Sequence, residues 1–361
     1  MVTPTGTAAE QCAAGTRAGL PGTAREVRLA RTPDALPAED DLWVVAAPPR
    51  PPGPGEVLVR NLCFHVSTAI RLLIAGAVRD TPFPPLRAGD TLVGAAVGEV
   101  AAAGEDAGLN EGDLVFHWYG WREYATVPTE QCDRIADPLP DPAAHLGQGW
   151  TAYAALTHGV DLRPGDTVLV TAASGAIGSM AGPLARLLGA GRVIGSTGSA
   201  DKARRLTAEL GYDAVVRRDG GDLAAQLAEA APGGIDVCVD NTGGEQLSAA
   251  VRAANPGARF VLVGALAGQL DASGDGTAAP VELDSLRLIH QRITLRGFSA
   301  DDVDPAERAR WERRYAGWLR AGELTFAHTR VHGLDAAPRA LTETLRGRHL
   351  GCVVADLTNR T

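Results

Sequence analysis

The sequence predicts an α/β protein in which a mainly-β domain precedes a doubly wound parallel sheet. Three observations support this fold class. Short β segments without helices fill the first third of the chain, strands and helices alternate regularly from residue 167 onward, and a glycine-rich turn joins the first strand of that alternation to its first helix. A length of 361 residues is enough for two domains with a core each.

The N-terminal part contains short apolar or alternating segments that are separated by glycines and prolines. Such punctuation is typical of a closed or partly closed β unit. The predicted strands cover residues 26–29, 42–46, 56–62, 92–94, 98–102, 113–117 and 124–127, with a proline run at 48–54. A bridging helix is predicted at 141–157.

The stretch from Asp166 to Lys202 predicts a strand, a glycine turn, a helix and a second strand. The turn contains Gly175, Ala176, Ile177 and Gly178. Glycines at this place let the backbone approach a pyrophosphate, and the N-terminus of the following helix offers N–H groups to phosphates. The order of strand, turn and helix therefore predicts a Rossmann dinucleotide site, the alternative being a glycine-rich turn of another α/β fold.

The alternation continues to the C-terminus and predicts a parallel sheet covered on both faces. A loop without periodicity, residues 266–280, is expected to be mobile over the site. The helix that begins after Asp304 carries an aromatic stripe that favours core or dimer packing. Further strands are predicted at 213–216, 235–239, 259–263, 293–298 and 352–357, and the last of them is expected to return to the β unit. One helix is predicted to end at residue 210, and two more are predicted at 222–230 and 245–254.

The second strand of the glycine-turn unit ends without an acidic residue. An Asp or Glu there would bind the ribose 2′-hydroxyl of NAD. Ser196 and Gly198 occupy this region instead, and Lys202, Arg217 and Arg218 follow. Hydroxyl and cationic groups suit a 2′-phosphate, so the sequence favours NADP over NAD. The alternative for each cation is a solvated surface charge.

Composition excludes several classes of protein. The net charge of -9 and the lack of a basic stripe argue against a nucleic-acid partner. Five cysteines, with no CxxC spacing, indicate a reducing compartment, and we expect a cytoplasmic protein. No apolar run approaches the roughly 18 residues of a membrane span. Residues 1–24 lack the features of a signal peptide and are expected to form a flexible tail, or a segment docked on a partner subunit.

Several local motifs together resemble one protein family. They are Pro52–Leu62, Trp121–Tyr124, Thr151–Tyr153, the glycine turn, Asp240–Gly244 and Asn255–Phe260. With the order of the two units, they resemble the medium-chain dehydrogenase/reductase superfamily, and within it the zinc-free alkenal and prostaglandin reductases. This resemblance implies a GroES-like catalytic domain at 25–145 and 304–361, an NADP-binding Rossmann domain at 146–303, and a homodimer.

The resemblance also implies positions for the cofactor. Residues Gly175 to Gly178 would cradle the pyrophosphate, and Lys202 and Arg218 would contact the 2′-phosphate, near Ser196 and Gly198. The other residues expected around the cofactor are Thr151, Asn241, Val263, Gly264 and His349. No metal is expected, because residues 89–94 replace the Gly-His-Glu motif of zinc-dependent members, and Cys63 and His65 have no apparent third ligand.

Hydride transfer from NADPH to the β-carbon of an alkene conjugated to a carbonyl is the reaction that the resemblance implies. The chain departs from the family pattern around the expected pocket. Gln269 stands where the family has a tyrosine, Ser67 and Ala69 lie in an altered motif, and His349 replaces an asparagine. The altered pocket suggests a specialised biosynthetic substrate. A zinc-free quinone reductase and a catalytically silent NADPH-binding protein stay open as alternatives.

The proton donor of such a reaction is left open by the loss of the tyrosine. A carboxamide donates a hydrogen bond to an enolate oxygen but does not readily transfer a proton. The candidates for acid or substrate-orienting groups are Tyr124, Tyr153, His65 and Gln269.

Overall fold

A computed structural model describes residues 22–76, 83–271 and 276–358. Residues 1–21 of the expected N-terminal tail lie outside the described residues, and the first strand begins at Ala24. The elements of the N-terminal part are β1 Ala24–Leu29, β2 Leu42–Ala47, β3 Glu56–His65, α1 Ile70–Ile74, β4 Ala96–Ala103, β5 Leu114–His117, β6 Tyr124–Pro128, β7 Asp133–Arg134 and α2 Gly149–Ala154.

The second part contains the predicted alternation of strands and helices. Its elements are β8 Thr167–Val170, α3 Gly178–Leu187, β9 Arg192–Thr197, α4 Ala200–Glu209, β10 Ala214–Arg217, α5 Leu223–Ala230, β11 Ile235–Asp240, α6 Gly244–Arg252, β12 Ala254–Leu262, α7 Leu266–Gln269, α8 Ser285–Gln291 and β13 Thr294–Gly297. The chain continues with α9 Pro305–Ala321, β14 His328–His332, α10 Ala337–Leu345 and β15 Cys352–Asp356.

The six strands β8 to β13 form one parallel sheet in the order β10-β9-β8-β11-β12-β13. Numbered from β8, this is the order 3-2-1-4-5-6 of the Rossmann fold. The strands of its centre are apolar and buried because helices cover both faces. The strand order reverses at β8, because β9 and β10 are added on one side of it and β11 to β13 on the other, so the crevice for a ligand lies at the carboxyl ends of β8 and β11.

The mainly-β part forms a second sheet in the order β14-β15-β3-β4-β5-β7, with β6 paired to β3. Strand β15 pairs with β3, as predicted for the C-terminal strand. The α/β fold class with a parallel sheet and a separate β-rich part is confirmed. The expected boundaries at residues 145 and 303 stay a prediction.

Two predicted elements are wrong. The helix expected at 141–157 is broken into the 3₁₀ turn Pro142–Leu146, helix α2 and the π-helical turn Ala155–Gly159. The chain leaves the helical conformation at Gly147, where ψ is 143°. The segment 92–94 forms no strand, since only isolated bridges occur beside it. The predicted loop 266–280 begins with helix α7. Its residues 272–275 lie outside the described part of the chain, and the mobility expected of the loop stays a prediction.

The aromatic stripe of α9 packs into the core, which confirms that interpretation. The ring of Trp311 lies 4.9 Å from Tyr315 and 5.0 Å from Tyr153, centroid to centroid. Trp311 also packs so closely on Gly149 that a Cβ there would lie 2.6 Å from its ring. Helix α9 is thereby fixed against α2, and the main cluster of buried residues extends from the parallel sheet through these rings.

Candidate active site

The glycine turn follows β8 and is built on close backbone contacts. Ala172 adopts a left-handed conformation with φ of 48°, and Gly175 donates from its N–H to the carbonyl of Ala172 at 2.9 Å. A Cβ on Gly178 would lie 2.4 Å from that same carbonyl oxygen. Ser196 holds the turn against β9, because its hydroxyl accepts from the N–H of Ala172 at 3.1 Å. The turn therefore requires glycine at 178 and leaves the start of α3 open to phosphate.

A buried network joins the carboxyl ends of β8 and β11. The hydroxyl of Thr171 donates to Asp240 Oδ1 at 2.6 Å and accepts from the N–H of Asn241 at 2.7 Å. The Asn241 side chain donates from Nδ2 to the Thr171 carbonyl at 2.7 Å. Its Oδ1 is buried and has no partner among the described residues. Because a buried acceptor without a donor is costly, this atom fits a hydroxyl or amide donor of a bound dinucleotide.

The third contact at this edge comes from the end of β12. The N–H of Val263 donates to the Asp240 carbonyl at 2.9 Å, and Gly264 approaches Asn241 so closely that a Cβ would lie 2.8 Å from its carbonyl oxygen. The structure therefore brings the glycine turn, Asn241, Val263 and Gly264 to one edge of the sheet.

The expected phosphate-binding cations lie beyond the end of β9. The guanidinium of Arg218 lies over Gly198, where a Cβ would meet Nη2 at 2.7 Å. Lys202 donates from Nζ to the carbonyl of Gly347, and burial lowers the pKa of its ammonium group, with a further contribution from Arg218. Arg217, in contrast, forms an ion pair with Asp219 at 2.9 Å. Lys202 and Arg218 together are suited to a phosphate dianion.

The segment before β15 lies against this cationic region. The N–H of Gly351 donates to the carbonyl of Ser174, inside the glycine turn, at 2.9 Å. The carbonyl of Gly347 accepts from Lys202. His349 lies between these two anchors and is mostly buried. The segment that contains His349 is therefore held between the glycine turn and Lys202, and its expected contact with the cofactor stays a prediction.

The two altered motifs of the pocket contact each other. Arg71, which is buried in α1, donates from Nη2 to the carbonyl of Asp271 at 3.0 Å. Leu270 packs against the apolar cluster that contains Ile70. Ser67 and Ala69 before α1 and Gln269 at the end of α7 therefore lie close in sequence to one contact between these two segments. Sequence reasoning missed this contact because Arg71 and Asp271 are 200 positions apart.

The remaining candidates lie in different surroundings. The hydroxyl of Tyr153 accepts from Arg314 at 2.7 Å within the aromatic core, and Tyr124 lines a groove beside β1 and β2. His65 ends β3 just before Ser67, and burial lowers the pKa of its imidazole to about 4. Tyr153 belongs to the buried cluster against which Ala176 and Ile177 of the glycine turn pack, whereas the contacts described for Tyr124 do not connect it with that turn. Thr151 lies on α2, and its role toward nicotinamide stays a prediction.

Two further properties of the described residues bear on the site. No group of three or more His, Cys, Asp or Glu side chains is placed there to hold a metal ion. Within the same residues no helix has the length and apolar character needed to cross a membrane.

The parallel sheet, its glycine turn and the adjoining β-rich part define a dinucleotide-dependent oxidoreductase. Residues 176–314 match the family described as zinc-binding dehydrogenase, and residues 25–135 match the N-terminal domain of oxidoreductase.

Individual relatives narrow this class. The 2-alkenal reductase (NADP(+)-dependent) of Nicotiana tabacum is 31% identical over 310 residues, which cover 83% of this chain and 87% of that protein. The NADPH-dependent curcumin reductase of Escherichia coli is 29% identical over 337 residues, covering 90% and 94%. The crystal structure of CurA from Vibrio vulnificus in complex with NADPH is 28% identical, with a TM-score of 0.83 over 93% of this chain and 100% of that one.

The chain belongs to the medium-chain dehydrogenase/reductase superfamily, in its zinc-free alkenal and prostaglandin reductase branch. The family resemblance seen in the sequence motifs is thereby confirmed.

Proposed function

We propose that this protein is an NADPH-dependent reductase that saturates the C=C bond of an α,β-unsaturated carbonyl compound. The proposal is carried by the occurrence of two separate features in one molecule. Asn241 Oδ1 is unpartnered at the sheet edge, and the cations Lys202 and Arg218 lie beyond β9. The similarity to a 2-alkenal reductase and a curcumin reductase, both NADP-dependent by name, supports the same reaction.

The cofactor is NADP(H). Gly175 to Gly178 and the start of α3 bind its pyrophosphate through backbone N–H groups, while Lys202 and Arg218 bind its 2′-phosphate. Asn241 Oδ1 accepts from a hydroxyl or amide donor near the nicotinamide half, with Val263 and Gly264 alongside. The similarity to CurA, which was solved in complex with NADPH, supports this choice.

When bound, NADPH would supply the hydride that reduces the β-carbon of the substrate. The electron pair of the C=C bond moves into the carbonyl to give an enolate, and a proton then adds to the α-carbon to leave the saturated carbonyl compound and NADP⁺. The protein must orient the alkene and stabilise the enolate oxygen. Gln269 donates a hydrogen bond to this oxygen but supplies no proton.

Solvent provides the proton in this account. The low pKa of His65, about 4 because of burial, keeps its imidazole neutral at pH 7, so it has no imidazolium proton to give. Tyr153 is buried against Trp311 and Trp318 in the aromatic core. The short side chains of Ser67 and Ala69 leave room in the pocket for a bulky substrate, which supports a specialised biosynthetic enone.

We also propose a homodimer that forms along β13. This strand ends the parallel sheet, and α8 beside it exposes 60% of Leu286 and 69% of Ile289. An unpaired strand edge next to apolar side chains is suited to a second copy of the chain. The L286D/I289D double variant should elute as a monomer from a size-exclusion column.

The cytoplasmic location stays a prediction.

Incubation with NADPH and a panel of 2-alkenals, cyclic enones and quinones tests the function. We expect saturated carbonyl products from the conjugated alkenes. Turnover of quinones with every alkene unchanged would identify a quinone reductase instead. Tight NADPH binding without turnover of any acceptor would identify a silent NADPH-binding protein.

A further inference from the structure

A carboxylate and an imidazole meet beside the cofactor cations. Nε2 of His349 lies 3.2 Å from Oε2 of Glu343, which belongs to the last turns of α10. Nε2 is buried and forms no hydrogen bond within the described part of the chain. The pair is therefore close enough to interact and still has bonding capacity for a ligand.

The position of the pair follows from the two anchors of its segment. Lys202 holds the carbonyl of Gly347 on one side, and the carbonyl of Ser174 in the glycine turn holds the N–H of Gly351 on the other. His349 is two residues from each anchor. An imidazole at this place lies between the expected 2′-phosphate and pyrophosphate positions, so a cofactor phosphate is the acceptor within its reach.

The charges around His349 come from three elements. Lys202 faces it from α4, Glu343 from α10, and Arg348 precedes it in the loop. Glu343 is itself paired with Arg339 at 2.9 Å. Burial lowers the pKa of the imidazole, and Lys202 lowers it further, whereas Glu343 raises it. The free protein therefore holds a neutral His349 at neutral pH, with a carboxylate ready to stabilise the protonated form.

We propose that Glu343 positions His349 to bind a phosphate of NADPH as an imidazolium, so that cofactor binding takes up a proton at this pair. The inference rests on the proposed NADP(H) cofactor. It adds a charge state to His349 and a positioning role to Glu343, which no family motif marks. A phosphate placed beside His349 favours the charged ring, and Glu343 reduces the cost of charging it in a buried site.

The expected pH dependence has a definite sign. The free imidazole titrates below its ordinary range, and the phosphate-bound imidazolium titrates above the free value. Between these two limits binding takes up a proton, so NADPH affinity falls as pH rises. Since phosphate monoesters themselves titrate near pH 6, the useful window begins at about pH 6.5.

The test is the dissociation constant of NADPH, measured by its fluorescence at three pH values between about 6.5 and 8.5, without substrate. We compare the wild type with His349→Asn, Glu343→Gln and the control Glu209→Gln, which removes an exposed carboxylate from α4. If His349 forms a charge-assisted hydrogen bond with the phosphate, the NADPH dissociation constant of the wild type should increase between about pH 6.5 and 8.5 by a factor about tenfold larger than that of His349→Asn. Glu343→Gln should lose most of this excess, and Glu209→Gln should keep it.

NADH distinguishes the two phosphates, because it has the diphosphate but no 2′-phosphate. An excess pH dependence restricted to NADPH assigns His349 to the 2′-phosphate, and one shared by NADH assigns it to the diphosphate. Parallel pH profiles for wild type and His349→Asn, or tighter NADPH binding by Glu343→Gln at every pH, would overturn the inference. A wild type that binds no NADPH at any pH would instead refute the proposed cofactor.

Discussion

Gly178→Ala tests whether the glycine turn is built on backbone contact. The added Cβ would lie 2.4 Å from the carbonyl oxygen of Ala172 and 2.6 Å from Cα of Ala173, about 1 Å short of ordinary contact. Backbone atoms of a turn cannot rotate away as a side chain does. Overpacking of this kind costs about 1–3 kcal/mol, so we expect the free protein to lose that much unfolding free energy.

Gly175→Ala is the matched control, because its Cβ would lie 3.3 Å from the same Ala172 oxygen and needs only a small adjustment. Its unfolding free energy should stay within about 1 kcal/mol of the wild type. Since both residues lie in the turn that is proposed to bind the pyrophosphate, NADPH binding should nevertheless weaken in both variants.

Urea unfolding of the free protein and fluorescence titration with NADPH measure the two effects separately. Equal stabilities for the two variants would refute the account of Gly178 as a position of close backbone approach. Unchanged NADPH affinity in Gly175→Ala would refute the assignment of the turn to the pyrophosphate.

Three further outcomes are expected. Lys202→Ala should weaken NADPH binding by about tenfold or more and NADH binding little. Arg217→Ala should affect the binding of neither cofactor strongly, because the Arg217 guanidinium is paired with Asp219. Titration with both cofactors measures these affinities. Tyr153→Phe should keep its turnover and lose about 0.5–1.5 kcal/mol of stability, because only a hydrogen bond from Arg314 is removed. His117→Gln should flatten the fall of stability toward acid pH.

The sign of the His117 effect follows from its burial. The imidazole is held by Asn61 at 2.9 Å, and burial lowers its pKa from 6.5 to about 3. Between these two pKa values the unfolded chain binds a proton at His117 that the folded protein does not. The free energy of unfolding therefore decreases by up to about 1.4 kcal/mol per pH unit from this group as pH falls. Urea unfolding between about pH 4.5 and 6.5 should show a smaller slope for His117→Gln.

Each of these outcomes has a contradicting result. Equal losses of NADPH and NADH affinity in Lys202→Ala would refute the 2′-phosphate assignment. Loss of turnover in a stable Tyr153→Phe protein would return this tyrosine to the catalytic group. An unchanged acid slope in His117→Gln would show that the imidazole is not held neutral.

The parallel sheet was predictable because its information is local. Apolar strands, a glycine turn and helices of ordinary length each carry a short-range pattern, and the resulting strand order is the one that the turn implies. Helix α8 was not predicted because none of its residues is buried, so it has little apolar periodicity. Strand β14 likewise has no buried residue and contains one apolar side chain, Val331, so it was missed for the same reason.

The site was predictable where it depends on backbone shape and less so where it depends on distant contacts. Gly178 and Asn241 could be assigned from motifs. The contact of Arg71 with Asp271 joins residues 200 positions apart, and the approach of Glu343 to His349 depends on how α10 ends. Neither contact leaves a periodic trace in the sequence, although each falls beside a motif that departs from the family pattern.

Hydride transfer to carbon is the central claim of this account, and isotope labelling tests it most directly. The enzyme is given NADPH that carries deuterium at both C4 positions of the nicotinamide, together with a conjugated enone, in ordinary water. We expect a saturated ketone with one deuterium on the β-carbon and a hydrogen from water on the α-carbon. Deuterium on the carbonyl carbon of an allylic alcohol, or oxidised NADPH with the alkene unchanged, would contradict the account.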